Sequence, residues 1–363
     1  MSSSPVRNNN IGFLRLLAAS MVIISHSAEM IDGNRSREPL TRLFHTLSFG
    51  GFGVDIFFLI SGYLITKSYL SSGNLYYLIK RVNRIYPGFL VAYFVSIFVV
   101  GPLAGIRLWS LTPADWGDII YRAVRLGAPG LTGAFASEHY QFLNAPMWTI
   151  SFEFRCYLFV MLIGALGIYK RRIAFLALPV IFLGLYIFTF YGPELSLGTN
   201  FVPQLLIGDV VSFFRFMFVF ACGASFYLFE DKIKYTGIGA IVSMLGLVGC
   251  MFSAQLAEPA LCTLGAYSLF YLAFKAKHVN INNSYDISYG VYLYAWPISA
   301  LTILYYPAVT PVYLFCSTLM LALAAGTISW FLVEKPAGGL LRHLPGEIKT
   351  KPVLSPVPES ATQ

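Results

Sequence analysis

The sequence predicts an all-α integral membrane protein, a bundle of about ten transmembrane helices with both termini in the cytoplasm. Of its 363 residues, 57% are hydrophobic and only 12% are charged, whereas about a quarter of the residues of a soluble protein are charged. The apolar residues also fall into runs of about 20, the length of a helix that crosses a bilayer. These runs are 10–30, 51–70, 86–106, 148–168, 173–191, 205–229, 236–253, 259–275, 286–306 and 311–333.

The basic residues set the predicted orientation. With the N-terminus inside, 15 of the 25 Lys and Arg residues fall in cytoplasmic flanks and six in outside flanks, as the positive-inside rule requires. Because these charges lie at the ends of spans rather than on one soluble face, the net charge of +8 does not indicate nucleic-acid binding and fits contact with membrane lipids. The membrane domain is predicted to cover 1–334. Segment 335–363, rich in Pro, Lys and Ser, is predicted to be a disordered cytoplasmic tail.

Two ionisable residues stand out in the first span, Arg15 and His26. They are 11 residues apart, close to three helical turns, so both point the same way and lie about 16 Å apart along the axis. An ionisable group at bilayer depth is costly, and by default it marks a functional site facing the protein interior. The alternative is that Arg15 reaches the membrane surface and His26 is a hydrogen-bonded structural residue.

Further charges flank the next two spans. Asp55 is predicted at the depth of His26, where a carboxylate would fix the imidazole tautomer; the alternative is a helix cap. Lys67 lies at the inner end of the same span. Arg81 and Arg84 share a helix face and suit a phosphorylated cytoplasmic molecule, or they are ordinary topology charges.

Glu153 and Arg155 begin the fourth span at the predicted depth of the imidazole. They are predicted either to compensate each other's charge or to leave Glu153 free to bind a hydroxyl of an outside substrate. The five cysteines lie in or beside apolar runs without metal-ligand spacing, so no metal site is predicted.

Six motifs follow one another along the chain: Arg15 with ten residues before His26, FGVDIFFLISGYL at 52–64, RVNR at 81–84, W–S–E at 148–153, YDISYGVYL at 285–293 and FLVEKP at 331–336. In this order they resemble the acyltransferase-3 family of bacterial integral membrane acyltransferases. The resemblance runs from Asn10 to Pro336.

The resemblance implies transfer of an acyl group, most often acetyl, from acyl-coenzyme A (acetyl-CoA) to a carbohydrate hydroxyl. The implied acceptors are O-antigen of lipopolysaccharide, capsule, exopolysaccharide or a lipid-linked sugar, and the implied location is the bacterial inner membrane. The family's functional positions correspond to Arg15, His26, Asp55, Arg81, Arg84 and Glu153. One position departs from the family: Ala295 stands where many members have histidine, so either that histidine is dispensable or Tyr292 or Tyr294 replaces its hydrogen bond.

The residues and the resemblance together give one mechanistic hypothesis. The cofactor phosphates bind Arg81 and Arg84, with Lys67 and Arg15 as further candidates, and the pantetheine arm runs between spans one and two. His26, oriented by Asp55, acts as general base on the sugar hydroxyl; a covalent acyl-histidine is an open variant. Ser61 and Tyr63 are candidate oxyanion donors. The competing hypothesis is a transporter or flippase that uses the same charges as a proton relay.

Overall fold

The computed structural model describes residues 9–72, 74–192, 206–283 and 285–340, and within these ranges the chain is helical, without a β-strand. Ten longer helices in the described ranges follow the ten apolar runs. They are α1 (Ile11–Glu29), α2 (Phe49–Leu70), α3 (Asn74–Leu103), α4 (Ala145–Ala165), α5 (Arg172–Tyr191), α6 (Val210–Leu228), α7 (Gly237–Cys250), α8 (257–274), α9 (Ser288–Tyr305) and α10 (Pro311–Gly339).

Seven helices among the described residues, α1 to α6 and α10, are long and apolar enough to cross a membrane. The other three are less regular or shorter: α7 has 14 residues, a π turn at Leu261–Gly265 interrupts α8, and α9 contains Pro297. Whether these three also cross the membrane, and on which side the termini lie, stay predictions.

Two boundaries differ from the predicted ones. Helix α3 begins at Asn74 rather than near 86, because buried Tyr77 and Ile85 continue its apolar face through the polar segment. At the other end, α10 continues past Glu334 into the predicted tail. The rest of that tail, 341–363, lies outside the described residues.

Helix α2 is central, packed between α1 and α6. A Cβ atom on Gly62 would lie 2.1 Å from the carbonyl oxygen of Phe220, and one on Gly223 would lie 2.1 Å from that of Leu59. These glycines therefore let the backbones of α2 and α6 approach more closely than any side chain would allow. The close approach fixes the faces that α2 presents to α1 and to α6.

Helix α9 makes a similar close contact with α10, where a Cβ atom on Gly290 would lie 2.6 Å from the Cα of Gly326. Helix α1 packs against α2, α9 and α10. The ionisable residues of the first span therefore face protein on several sides. This arrangement positions the site described next.

Candidate active site

Two cavities lie along α1, α2, α4 and α9, and they share no lining residue. The larger has a volume of about 370 Å³ and is lined by the C-terminal end of α1 and the N-terminal ends of α2 and α4; we name it the His26 cavity. The smaller, of about 70 Å³, is lined by the other halves of the same helices and by α3; we name it the Arg81 cavity. Arg15 lines the Arg81 cavity, so the two ionisable residues of α1 belong to different cavities.

The imidazole of His26 is held on two sides. Its Nδ1 lies 2.7 Å from Oε1 of Glu29, one helical turn further along α1. The ring of Trp296 meets it edge-on, with centroids 5.0 Å apart. Because Nδ1 is engaged by a carboxylate, Nε2 is the nitrogen that remains for a substrate.

Glu29 connects the imidazole to a cation at the cavity wall. Its side chain is only 4% exposed, and its Oε2 accepts a hydrogen bond from Nε of Arg35 at 2.8 Å. This bond to Glu29 raises the pKa of the Arg35 guanidinium, which keeps the cation charged. The result is a His26–Glu29–Arg35 chain that ends at the surface.

The predicted contact between Asp55 and His26 is wrong. Both oxygens of the fully buried Asp55 accept hydrogen bonds from Nη2 of Arg215, each at 2.8 Å. Nε of Arg215 also lies 2.6 Å from Oε1 of Glu258. Asp55 thus faces α6, and the carboxylate that orients His26 is Glu29.

The Arg81 cavity contains three guanidinium groups, two of which are paired with carboxylates. Arg15 forms an ion pair with Asp286, and Arg84 bridges Asp286 and Glu334 at 2.8 Å each. Arg81 has no ion pair within the described part of the chain; its Nη2 lies 3.4 Å from the hydroxyl of a serine in α2. Arg81 is therefore the cation most available for an anionic ligand.

Glu153 lies in the Arg81 cavity, not at the depth of His26 as predicted. Its Oε1 accepts hydrogen bonds from Ser61 at 3.1 Å and from Tyr157 at 2.5 Å. Ser61 lines the same cavity, so it is not placed to stabilise an oxyanion beside the imidazole.

Lys67 and Tyr63 line neither cavity. The Lys67 ammonium lies 6.0 Å from the centre of the Tyr227 ring. Tyr63 packs against Tyr227 and Phe270 on the α6 and α8 side of α2. The structure therefore does not bring these two residues to the predicted cofactor and oxyanion sites.

Tyr292 lies beside Ala295, the position where the resemblance implied a histidine. Ala295 is buried, and Tyr292, one helical turn before it, lines the His26 cavity. The hydroxyl of Tyr292 donates a hydrogen bond to the carbonyl of Pro146 at 2.8 Å and lies 2.7 Å from Oγ1 of Thr149. Of the two candidate tyrosines, Tyr292 is therefore the one at the site, whereas Tyr294 lines neither cavity.

An aromatic contact links lining residues of the two cavities. The guanidinium of Arg15 lies over the ring of Phe57, 5.8 Å from its centre. Phe57 in turn packs edge to face on Tyr292, with ring centroids 5.9 Å apart. These contacts lead from Arg15 in the Arg81 cavity through Phe57 to Tyr292 in the His26 cavity.

Several charged residues at the site were not predicted. Glu29 was recognisable from its position three residues after His26 on the same helix. Asp286 and Glu334 lie within the YDISYGVYL and FLVEKP motifs. Arg215 lies within the apolar run 205–229, the same signal that singled out Arg15, whereas Glu258 lies just outside the run 259–275. Within the described ranges, no three His, Cys, Asp or Glu residues are grouped as metal ligands.

Comparison with known proteins assigns the chain to a family. The acyltransferase-3 family model, an acyltransferase domain, matches residues 8–331. The chain is 26% identical to an O-acetyl transferase of Shigella phage Sf6 over 345 residues, which cover 91% of this chain and 96% of the relative. It is also 26% identical to nodulation protein 10 of Rhizobium leguminosarum bv. viciae over 356 residues, or 91% and 93% of the two chains.

A third relative, acyltransferase MdmB of Streptomyces mycarofaciens, is 28% identical over 160 residues, which cover 42% of this chain and 38% of the relative. No solved structure matches the chain. None of the relatives favours the transporter hypothesis. The chain therefore belongs to the acyltransferase-3 family, and it is a membrane acyltransferase of the O-acetyl transferase type.

Proposed function

We propose that this protein transfers an acetyl group from acetyl-CoA, bound at the Arg81 cavity, to a hydroxyl of a cell-surface carbohydrate at the His26 cavity. The observation that carries the proposal is the pairing of His26 with Glu29 at the wall of a cavity large enough for a ligand. The site lies in the bacterial inner membrane, with the donor on the cytoplasmic side.

In the proposed reaction His26 is the general base. Its Nε2 takes the proton of the acceptor hydroxyl as the oxygen attacks the thioester carbonyl carbon. The carbon–sulfur bond then breaks, and the proton returns from the imidazolium to the CoA thiolate. Glu29 stabilises the imidazolium while it exists, because its carboxylate already contacts Nδ1.

At the donor end Arg81 is the main contact for the cofactor phosphates. Arg15 and Arg84 are held by Asp286 and Glu334, so they add less positive charge than two free guanidinium groups would. They fix the shape of the site instead. Lys67, which lines neither cavity, is left out of the cofactor site.

Asp55 and Glu153 act as positioning residues in this proposal. Asp55 holds Arg215 at the wall of the His26 cavity. Glu153 links Ser61 of α2 to Tyr157 of α4 in the donor cavity. Neither carboxylate touches the imidazole.

The spacing of the two sites suits one extended ligand. Arg15 and His26 are separated by about 16 Å along α1, a distance comparable to the pantetheine arm. Phe57 and Tyr292 contact each other between Arg15 and the His26 cavity, and in this proposal one of these rings moves aside as the arm reaches the imidazole. Movement of this ring pair is therefore part of the proposed donor-binding step.

Replacement of the imidazole tests the proposal. Purified His26→Ala protein in nanodiscs is expected to transfer labelled acetyl groups to the glycan about 10²- to 10⁴-fold more slowly than the unmodified protein. His45→Asn is a matched control, because His45 lies in a loop with left-handed backbone that asparagine tolerates. Unchanged transfer by well-folded His26→Ala protein would refute the role of His26.

A further inference from the structure

We infer that the His26 cavity accepts an uncharged sugar unit and rejects one that carries a carboxylate. This inference rests on the proposed function, because it concerns the acceptor of that reaction. It depends on the charges that form the cavity wall, each of which already has a partner of opposite charge or a full set of hydrogen bonds.

The first cation at the wall is Arg215. Its Nη2 contacts both oxygens of Asp55, and its Nε contacts Glu258. All three residues are largely buried, with side-chain exposures of 19% for Arg215, 0% for Asp55 and 9% for Glu258. One guanidinium between two carboxylates leaves no positive charge for a ligand.

The second cation is Arg35, whose Nε donates to Glu29. Glu29 is in turn committed to His26, so Arg35 balances a charge inside the site. The remaining carboxylate, Glu38, is 1% exposed and accepts backbone hydrogen bonds from Thr41 and Phe49. The cavity wall therefore carries at most zero net charge, with no free cation in its described lining.

The rest of the lining suits a neutral polyol. The half-exposed indole of Trp148 lines the cavity together with five serine and threonine side chains: Ser25, Thr41, Thr46, Ser48 and Thr149. Hydroxyl groups can exchange hydrogen bonds with sugar hydroxyls, and an aromatic ring can cover the apolar face of a pyranose. The cavity volume of about 370 Å³ lies within the range of small-molecule sites, about 300–1,000 Å³.

A uronic acid in this cavity would lose hydration without gaining an ion pair. The cation that its carboxylate would meet there, Arg215, already pairs with Asp55 and Glu258 behind the cavity wall, so it offers little net attraction. An unpaired charge in a partly dehydrated site is strongly disfavoured. The inner surface of the cavity thus selects against acidic sugars by electrostatics rather than by size.

Matched glycosides test this inference. Methyl glucoside and methyl glucuronoside differ at C6, and the methyl ester of the glucuronoside removes the charge while keeping the bulk. The full-length protein in nanodiscs is incubated with labelled acetyl-CoA and each compound, and initial transfer rates are compared. We expect the glucuronoside to react at least about tenfold more slowly than both neutral compounds. Galactoside and galacturonoside provide a second pair.

A Glu258→Gln variant provides an independent readout, because Arg215 then keeps a single carboxylate partner. The rate on the glucuronoside relative to the glucoside should rise in this variant. Equal wild-type rates on the acid and its ester would overturn the inference while leaving the transferase function intact. If no acceptor is acetylated, the proposed function fails. Saturation-transfer NMR then measures the binding of the same compounds. Equal binding of the acid and its ester would overturn the inference.

Discussion

Replacing Glu29 by glutamine probes the contact that orients the candidate base. Glu29 joins Nδ1 of His26 at 2.7 Å to Nε of Arg35 at 2.8 Å. A glutamine keeps the size of the side chain but has one acceptor oxygen and one NH₂ group. If the oxygen stays on His26, the NH₂ group faces the N–H of Arg35, so one of the two bonds is lost.

The expected effect follows from the charge that is removed. A hydrogen bond to a charged group contributes about 1.5–3 kcal/mol, and each 1.36 kcal/mol changes a rate by about tenfold. Loss of the carboxylate charge beside the developing imidazolium should therefore lower kcat about 10- to 150-fold. The KM for acetyl-CoA should not change, because the Arg81 cavity shares no lining residue with the His26 cavity.

The assay is the initial rate of labelled acetyl transfer by purified protein in nanodiscs, with acetyl-CoA varied at saturating acceptor. Glu138→Gln is the control, since Glu138 lines neither cavity and contacts the adjacent Ser137. The pH profile of kcat should also change in the Glu29 variant and not in the control. A well-folded Glu29→Gln protein with unchanged kcat and pH profile would refute the orienting role of Glu29.

Two further predictions concern the donor site and the fold. Arg81→Ala should raise the KM for acetyl-CoA about 10- to 100-fold by removing a charge-assisted contact, whereas Lys67→Ala should not change it; titration of acetyl-CoA checks both variants, and equal effects would contradict the assignment of Arg81. Gly62→Ala should destabilise the protein by about 1–3 kcal/mol through overpacking, because its Cβ would lie 2.1 Å from the Phe220 carbonyl oxygen. Gly249→Ala is the matched control, with no atom within 4 Å of its added Cβ, and equal melting temperatures for the two variants would contradict the close approach of α2 and α6.

The sequence was sufficient for the helical architecture, because each apolar run is long and the helix period is a local property. All ten runs contain a described helix, and seven of these helices are long and apolar enough to cross a membrane. The sequence also predicted that Arg15 and His26 lie on one face of the first helix, because residues 11 apart are separated by about three helical turns.

The partners of these residues were harder to predict. Depth in the membrane placed Asp55 near His26, but depth does not determine which neighbour a helix face meets. The close approach at Gly62 and Gly223 turns Asp55 toward Arg215, 160 residues away in the chain. Glu29 was the exception, because its position relative to His26 is set within a single helical turn.

The partners of the arginines at the donor site were also not predictable from the sequence. RVNR was correctly identified as a pair of guanidinium groups on one helix face, and both line the Arg81 cavity. The sequence did not predict that the two arginines differ in ion pairing. Arg84 pairs with Asp286 and Glu334, which lie in distant segments, whereas Arg81 has no such partner in the described residues. One sequence contains no information about which long-range carboxylate meets which arginine.

The central claim is that donor and acceptor bind at opposite ends of the same helices, and sealed proteoliposomes test it directly. Labelled acetyl-CoA is supplied only outside, and the same acceptor glycoside is either trapped in the lumen or added outside. Molecules whose Arg81 cavity faces outward are the ones that can use the donor, so random insertion does not affect the result. The account predicts label on the lumenal acceptor and little on the external one. Label on the external acceptor alone would contradict it.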